Sequence, residues 1–366
     1  MSWLRAGACV LALGLCVPAA APAQTPASNR AWNALRAGQH EDAAGAFALA
    51  ISATPNDPTL HFGAGMAEYL LGRATVAQHS LERALALAPQ FTAASLLLGD
   101  ILYRGSDLDT ALRVYEAALA YAPADQMLNA RIEALRREAA VHRDFFQSQG
   151  SHFTVLFEGP SDEALARRAI EILESAYFRV GAALATFPER VVTVVLYTRE
   201  QFRDITRSPQ WAAGAYDGRI RIPVQGVDHD SQELERVLTH EFTHALVQSI
   251  APRGVPTWLN EGLAVLFEPT GEAWTDMQLS NPGPRLPIER LARSFERLSR
   301  DDARLAYAQS AGLVRAMLNH GGPTAVVAIL QDLAAGESFP SALERRMFVP
   351  YDTFVADLQN TVQLLR

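Results

Sequence analysis

His240-Glu241-Phe242-Thr243-His244 lies inside a run, Asp230 to Ile250, that reads as a helix. Residues four apart on a helix lie on one face, so His240 and His244 can reach a single metal ion. Glu241 stands between them, near enough to take a proton from a water activated there. Five residues are a common pattern. The reading depends on whether the chain also supplies a third ligand, a place for an extended substrate and a suitable compartment.

The third ligand is sought downstream. Residues 245–250, Ala-Leu-Val-Gln-Ser-Ile, contain neither a glycine turn nor a third histidine. Residues 250–255, Ile-Ala-Pro-Arg-Gly-Val, form a Pro/Gly loop that ends the first helix. Thr257 then reads as the cap of a second helix carrying Glu261, in the run Pro256-Thr257-Trp258-Leu259-Asn260-Glu261-Gly262-Leu263-Ala264. Two antiparallel helices joined this way can return Glu261 to the two histidines.

Upstream, residues 152–157, His-Phe-Thr-Val-Leu-Phe, read as a strand closed by a Glu158-Gly159-Pro160 turn. Ser161 is expected to cap an amphipathic helix from Asp162 to about Leu184. Arg190 to Tyr197 is rich in β-branched residues and reads as a buried strand. Thr198 is read as the cap of a short helix, Arg199 to Ile205. Gly214 to Val224 reads as a hairpin turning at Asp217-Gly218. Arg219 to Ile222 alternates as a half-exposed strand, and Pro223 predicts that this is the edge of the sheet. Leu286–Leu298, Ala303–Asn319, Thr324–Ala335, Ser341–Met347 and Tyr351–Leu365 read as helices. Phe267 to Pro287, rich in Pro, Gly and polar residues, reads as a loop.

This order resembles a zincin-type metallopeptidase, with a small sheet above a metal helix and a helical lower half. In such folds the edge strand holds an extended peptide by backbone hydrogen bonds. The missing histidine at the end of the motif separates the chain from the metzincins. The phrase His-Glu-Phe-Thr-His-Ala-Leu followed by Trp258-Leu259-Asn260-Glu261-Gly262-Leu263-Ala264 resembles the gluzincins, and within them the peptidase MA-like group. The resemblance implies one zinc ion per chain on His240, His244 and Glu261, with Glu241 as general base. Sixteen residues separate His244 from Glu261, slightly fewer than the commoner gluzincin spacing. Some gluzincins orient a ligand histidine with an acidic residue four beyond the glutamate. Here that position is Val265, so support is expected from elsewhere, with Asn260, Asp228 and Asp230 as candidates. Tyr307, in a segment to which the resemblance extends, is the candidate second donor to the oxyanion. His320 reads as a helix-end histidine.

The first third of the chain repeats every 34 residues. Pro55, Pro89 and Pro123 keep that spacing, as do Ala43, Ala77 and Ala111, and Ala50, Ala84 and Ala118. Gly65 and Gly99 share a phase, with Ala31 in the first unit, and Phe47, Leu81 and Tyr115 share a large apolar position. The pattern resembles the tetratricopeptide repeat, a stacked helix–turn–helix solenoid. About three units are expected within 24–140, closed by a charged helix, Leu128 to Phe146. Such an array implies either a docking surface for a peptide or protein partner, or a spacer.

The N-terminus reads as a signal peptide, residues 1–23, with Arg5 before an apolar run from Ala6 to Val17 and a small-x-small site at Ala21-Pro22-Ala23. That run is short for a membrane span, and Leu15 before Cys16 does not suit a lipoprotein signal. Both cysteines, Cys9 and Cys16, fall in this segment, which leaves none for disulfides or metal ligands after cleavage. The expectation is an exported protein of a bacterial periplasm or the extracellular space, without an integral membrane segment. All basic residues are arginines, and loss of Arg5 takes the net charge from −8 to −9. No basic stripe suggests nucleic acid. The expected architecture is therefore α + (α+β): an α-solenoid, then a zincin-like domain over 150–366 with a small mixed sheet plus helices. The expected activity is zinc-dependent peptide hydrolysis. The competing readings are a repeat-based scaffold with a non-catalytic zincin domain, and a hydrolase of some other amide, such as cell-wall peptide.

Overall fold

The computed structural model describes residues 26–206, 214–224, 232–280 and 284–356. The expected signal peptide, Asp228 and Asp230, and the end of the last expected helix lie outside these residues. The described chain divides into two compact units, 26–145 with 200–206, and 146–199 with the residues from 214 onward.

The first unit carries seven helices in a row: α1 (Pro26–Arg36), α2 (His40–Ala53), α3 (Pro58–Leu70), α4 (Ala74–Leu87), α5 (Thr92–Arg104), α6 (Leu108–Leu119) and α7 (Gln126–His142). They pair as the 34-residue period requires. Ala43, Ala77, Ala111, Ala50 and Ala84 are fully buried and Ala118 nearly so, where only a methyl group fits between helices. The shared large position fills the space beside the shared glycine: Gly65 lies against Leu81, and Gly99 against Tyr115. Tyr115 also donates its hydroxyl to Asp100 at 2.7 Å, and Asp100 pairs with Arg131 of α7, tying the last repeat to the closing helix. That helix stops at His142. Phe145 and Phe146, expected as its end, instead begin a strand.

The second unit holds a five-stranded mixed sheet in the order β1-β2-β3-β5-β4, with β1 Phe145–Gln149, β2 Phe153–Glu158, β3 Val192–Tyr197, β4 Ala215–Tyr216 and β5 Ile220–Pro223. β2 and β3 pair in parallel, with α8 (Glu163–Leu184) between them in sequence, as a parallel pair needs. Ser161 does not cap α8. It sits in a 3-10 turn, Pro160–Asp162, and Asp162 occupies the cap position without a side-chain bond. After β3 the chain forms α9 (Arg199–Thr206).

The expected edge strand is displaced. β5 is internal, parallel to β3 and antiparallel to β4, so β4 is the edge. Pro223 is tolerated because it is the last residue of its strand, opposite Tyr197. Nor is β5 half-exposed. Ile220 and Ile222 enter the core, while Arg221 is 0 % exposed, its guanidinium donating to Tyr197 Oη at 2.7 Å and to both Asp217 oxygens at 3.1 Å. An alternation of apolar and charged residues looks half-exposed, but a paired guanidinium can be buried.

One core gathers the inward side chains of β2, β3 and β5 with α8, α10 (Gln232–Ile250), α11 (Thr257–Leu266) and α14 (Arg300–Ala334). Pro256, not Thr257, occupies the cap position of α11, and Thr257 is its first residue. Part of the expected 267–287 loop is helical, α12 (Gly271–Leu279), held by Trp274 and by Leu279 against Ala308. Its prolines lie outside the helix and Gly271 is its first residue, so none of them interrupts it. The expected 286–298 helix is reduced to α13 (Ile288–Leu291) and a 3-10 turn, Phe295–Arg297. α14 contains a break at Gly322 (φ 71°) before Pro323, where the two expected helices meet. α15 (Phe339–Met347) follows. No helix among the described residues is long and apolar enough to cross a membrane.

Candidate metal centre

α10 buries Leu234, Val237, Leu238, Phe242, Ala245 and Leu246, a helical stripe facing the core. His240 and His244 stand one turn apart at the margin of that stripe, with ring centroids 4.8 Å apart at 89°. α11 is apolar apart from Asn260 and Glu261 after its first residue. A carboxylate on such a helix is costly unless it is paired. Glu261 Oε2 is 3.5 Å from His240 Nε2 and 3.6 Å from His244 Nε2, and the ligand atoms of the three residues all lie within 4.8 Å of one another. Among the described residues this is the one such cluster.

Close helix contact places Glu261. A Cβ on Gly262 would overlap the carbonyl oxygen of Ser310 on α14 and stand 2.7 Å from Val314 Cγ2. α11 and α14 therefore touch through backbone at the residue after Glu261. Tyr307 is three residues before Ser310 on the same face of α14. Its ring meets Phe295 edge-on at 5.3 Å. The Glu261 charge first, then burial and the Glu241 charge, raise its phenol above the usual range, so the hydroxyl keeps its proton within the field of the cluster.

Glu241 is 6 % exposed. Burial, joined by the charge of Glu261, raises its carboxyl to about 7, against the pull of His240 and Arg236. Gly214, directly before the edge strand β4, sits against it: a Cβ there would stand 2.7 Å from Glu241 Oε1. The edge of the sheet thus reaches Glu241 through a residue with no side chain.

The two histidines differ in their support. His240 Nδ1 is 2.8 Å from Glu268 Oε1, so Nδ1–H donates to the carboxylate, and Nε2 faces Glu261 and His244, protonated in the metal-free cluster and a lone-pair donor to a metal once that proton leaves. Burial lowers the His240 pKa, and hydrogen bonds to Glu261 and Glu268 outweigh it, raising the group to about 10. His244 is lowered, by burial first. Its Nδ1 is buried without a hydrogen bond of good geometry, and the Glu261 charge first, then Asn260, oppose the shift. Burial pushes Glu261 up, but His244 and His240 together hold it below the usual carboxylate range.

Glu268 is not among the residues that the sequence marks as support for a histidine. It lies seven residues beyond Glu261, past the end of α11, where helical spacing no longer says which way a side chain turns. Its acidic type was the only signal. Val265 is buried in the core, and Asn260 lies beside His244. His320 Nε2 pairs with the Met347 carbonyl at 3.1 Å, at the α14 break, away from the cluster.

Two imidazoles and a carboxylate, converging beside a buried glutamate, fit a catalytic zinc site of the two-histidine, one-glutamate kind. The model of the peptidase MA superfamily matches residues 175–361, and that of the tetratricopeptide repeat matches 28–77, 71–127 and 96–140. No curated protein matches the chain significantly. One solved structure to which it is similar is the first TPR of Spaghetti (RPAP3) bound to HSP90 peptide SRMEEVD, at 20% identity over 31% of this chain and 93% of that one, with a TM-score of 0.30.

Proposed function

The chain belongs to the peptidase MA superfamily, and on that footing we propose that it is an exported, zinc-dependent metallopeptidase whose repeats dock a substrate or a protein partner. The observation that carries this reading is the convergence of His240, His244 and Glu261 within 4.8 Å, with Glu241 beside them.

In this proposal His240, His244 and Glu261 hold one zinc ion per chain. Bound zinc supplies Lewis acidity, which acidifies water and polarises a peptide carbonyl. The chain's own residues do the rest. Glu241 accepts a proton from the attacking water and later gives it to the leaving amine. A buried carboxyl raised to about 7 suits both transfers at neutral pH, because neither protonation state is strongly favoured. Tyr307 keeps its phenolic proton and donates to the developing oxyanion. The β4 edge, entered through Gly214, offers backbone groups along which an extended peptide aligns beside Glu241. Export rests on the signal-like residues 1–23 and is tested by fractionating cells that express the full chain.

The decisive variant is Glu241→Gln, assayed with a broad peptide library at neutral pH. Cleavage by the wild type that falls by about 10²–10⁴-fold in the variant, with zinc retained, is the expected result. Absence of any such cleavage overturns the enzyme reading in favour of a repeat-based binding protein. Absence of zinc from the purified chain, together with stability indifferent to chelators, overturns the metal reading.

A further inference from the structure

One turn before His240, α10 carries Arg236, and residues four apart on a helix share a face. Both side chains reach the same oxygen: Glu268 Oε1 lies 2.8 Å from His240 Nδ1 and 3.1 Å from Arg236 Nη1. The rest of the guanidinium is gripped by Glu233, with Nη2 2.6 Å from Oε1 and Nε 2.8 Å from Oε2. That fork leaves Nη1 directed at Glu268 and fixes the plane from which it donates.

Glu268 is also held at its backbone. Its N–H donates to the Val265 carbonyl at 3.2 Å, and its own carbonyl accepts from Gly271 N–H at 3.0 Å. The turn is so close that a Cβ on Gly271 would overlap the Val265 oxygen. Arg179 of α8 donates to the carbonyl of the preceding residue, Phe267, at 2.7 Å. The Glu268 side chain is 9 % exposed. A carboxylate so buried needs its partners, and Arg236 is the one that stays cationic whatever the protonation of His240. His244 has no equivalent arrangement on its Nδ1.

We propose that Arg236 is a positioning residue that sets the metal affinity of the cluster by holding Glu268 on His240. The inference rests on the reading of His240 as a ligand. An imidazole whose Nδ1–H is held by an anchored carboxylate keeps its tautomer and ring angle and is the stronger ligand. Without Arg236 the carboxylate lacks its cation, swings away, and leaves the His240 ring free to turn. The bland alternative is that Arg236 only ties α10 to the end of α11 and bears on stability alone.

Zinc dissociation constants of the full chain, measured by competition with a chromogenic chelator, distinguish the two. Glu268→Gln weakens zinc by about 10–100-fold and Arg236→Gln by about 10-fold. Adding Arg236→Gln to Glu268→Gln costs nothing more, because Arg236 acts through that carboxylate. Arg236→Lys, which keeps the charge but not the fork, recovers part of the loss. Metal-free melting temperatures of all variants report any effect on folding separately. An unchanged zinc affinity in Arg236→Gln overturns the proposal, as does an equal loss in the Glu268→Gln background. Glu261→Ala is the control. If it weakens zinc while Arg236→Gln does not, only this inference fails. If Glu261→Ala leaves zinc untouched, the ligand set fails and the inference with it.

Discussion

The two units of this chain bring helices together by the same device, with opposite tolerance for change. In the repeats, Gly65 faces first the Leu81 side chain, where a Cβ would stand 2.8 Å from Cγ, with the Ala77 carbonyl farther off at 3.2 Å. In the second unit, Gly262 faces the Ser310 carbonyl, which a Cβ would overlap. A leucine can shift by rotation; a helix carbonyl moves only with its helix. The sequence separations differ as well, sixteen residues for Gly65 and Leu81 against forty-eight for Gly262 and Ser310. Contacts in the repeats join neighbours, so a fault there stays local. Contacts around the cluster join distant elements, so a fault there moves the site.

The comparison can be pressed first at Gly214. There the extra methyl meets the Glu241 carboxylate itself, so Gly214→Ala is expected to lower kcat by about 100-fold, as a misplaced catalytic group does. Zinc content and melting temperature stay near wild type, and steady-state kinetics beside metal analysis check this. A kcat equal to wild type would show that the edge of the sheet yields as readily as a repeat side chain.

Gly262→Ala comes next. The helix-propensity gain of about 1 kcal/mol does not offset the overlap with backbone. A net loss of about 1–3 kcal/mol is expected from overpacking, accompanied by weaker zinc binding because Glu261 moves with α11. Denaturant unfolding with and without zinc measures both.

A third measurement concerns protons. With His240 raised to about 10, the metal-free cluster carries a proton there at pH 8. Zinc binding should then release about one proton, and affinity should rise with pH up to that value. Calorimetry in buffers of different ionisation enthalpy counts the proton. The same sign governs stability without metal: the contribution of His240 is fully present below its unfolded value and is lost as pH rises through about 10. No release would mean that the three groups meet zinc already deprotonated.

The smallest effect is expected for Gly65→Ala. The propensity gain and the cost of displacing Leu81 nearly cancel, within about 1 kcal/mol. Zinc affinity is unchanged. A large effect on zinc would break the contrast between a local fault and a distant one.

Some parts of the molecule were open to reading and others were not. The repeats were legible because each residue class recurs at the same phase, and stacking uses every recurrence in the same way. The helix of the candidate metal ligands was legible because both histidines and the glutamate sit within five residues, where helical geometry alone fixes their relation. Glu261 was legible only through its setting, a lone charge on an otherwise apolar helix with a loop behind it. β5 misled because Arg221 looked like a solvent-facing residue, while Asp217 and Tyr197 made its burial affordable. The 267–287 segment misled because its prolines and glycines fall at or beyond the borders of α12 and not in its interior.

By itself, then, the sequence determined what depends on local periodicity: the solenoid, the helix that carries His240 and His244, and the chemical kind of the cluster. Tertiary structure alone decided which acidic side chain supports His240, which strand forms the edge, and how near Gly214 comes to Glu241. Those features depend on where a chain goes after a helix or strand ends. There the backbone is steered by contacts between residues far apart in sequence, such as Gly262 with Ser310 and Arg179 with Phe267, and no local pattern records them.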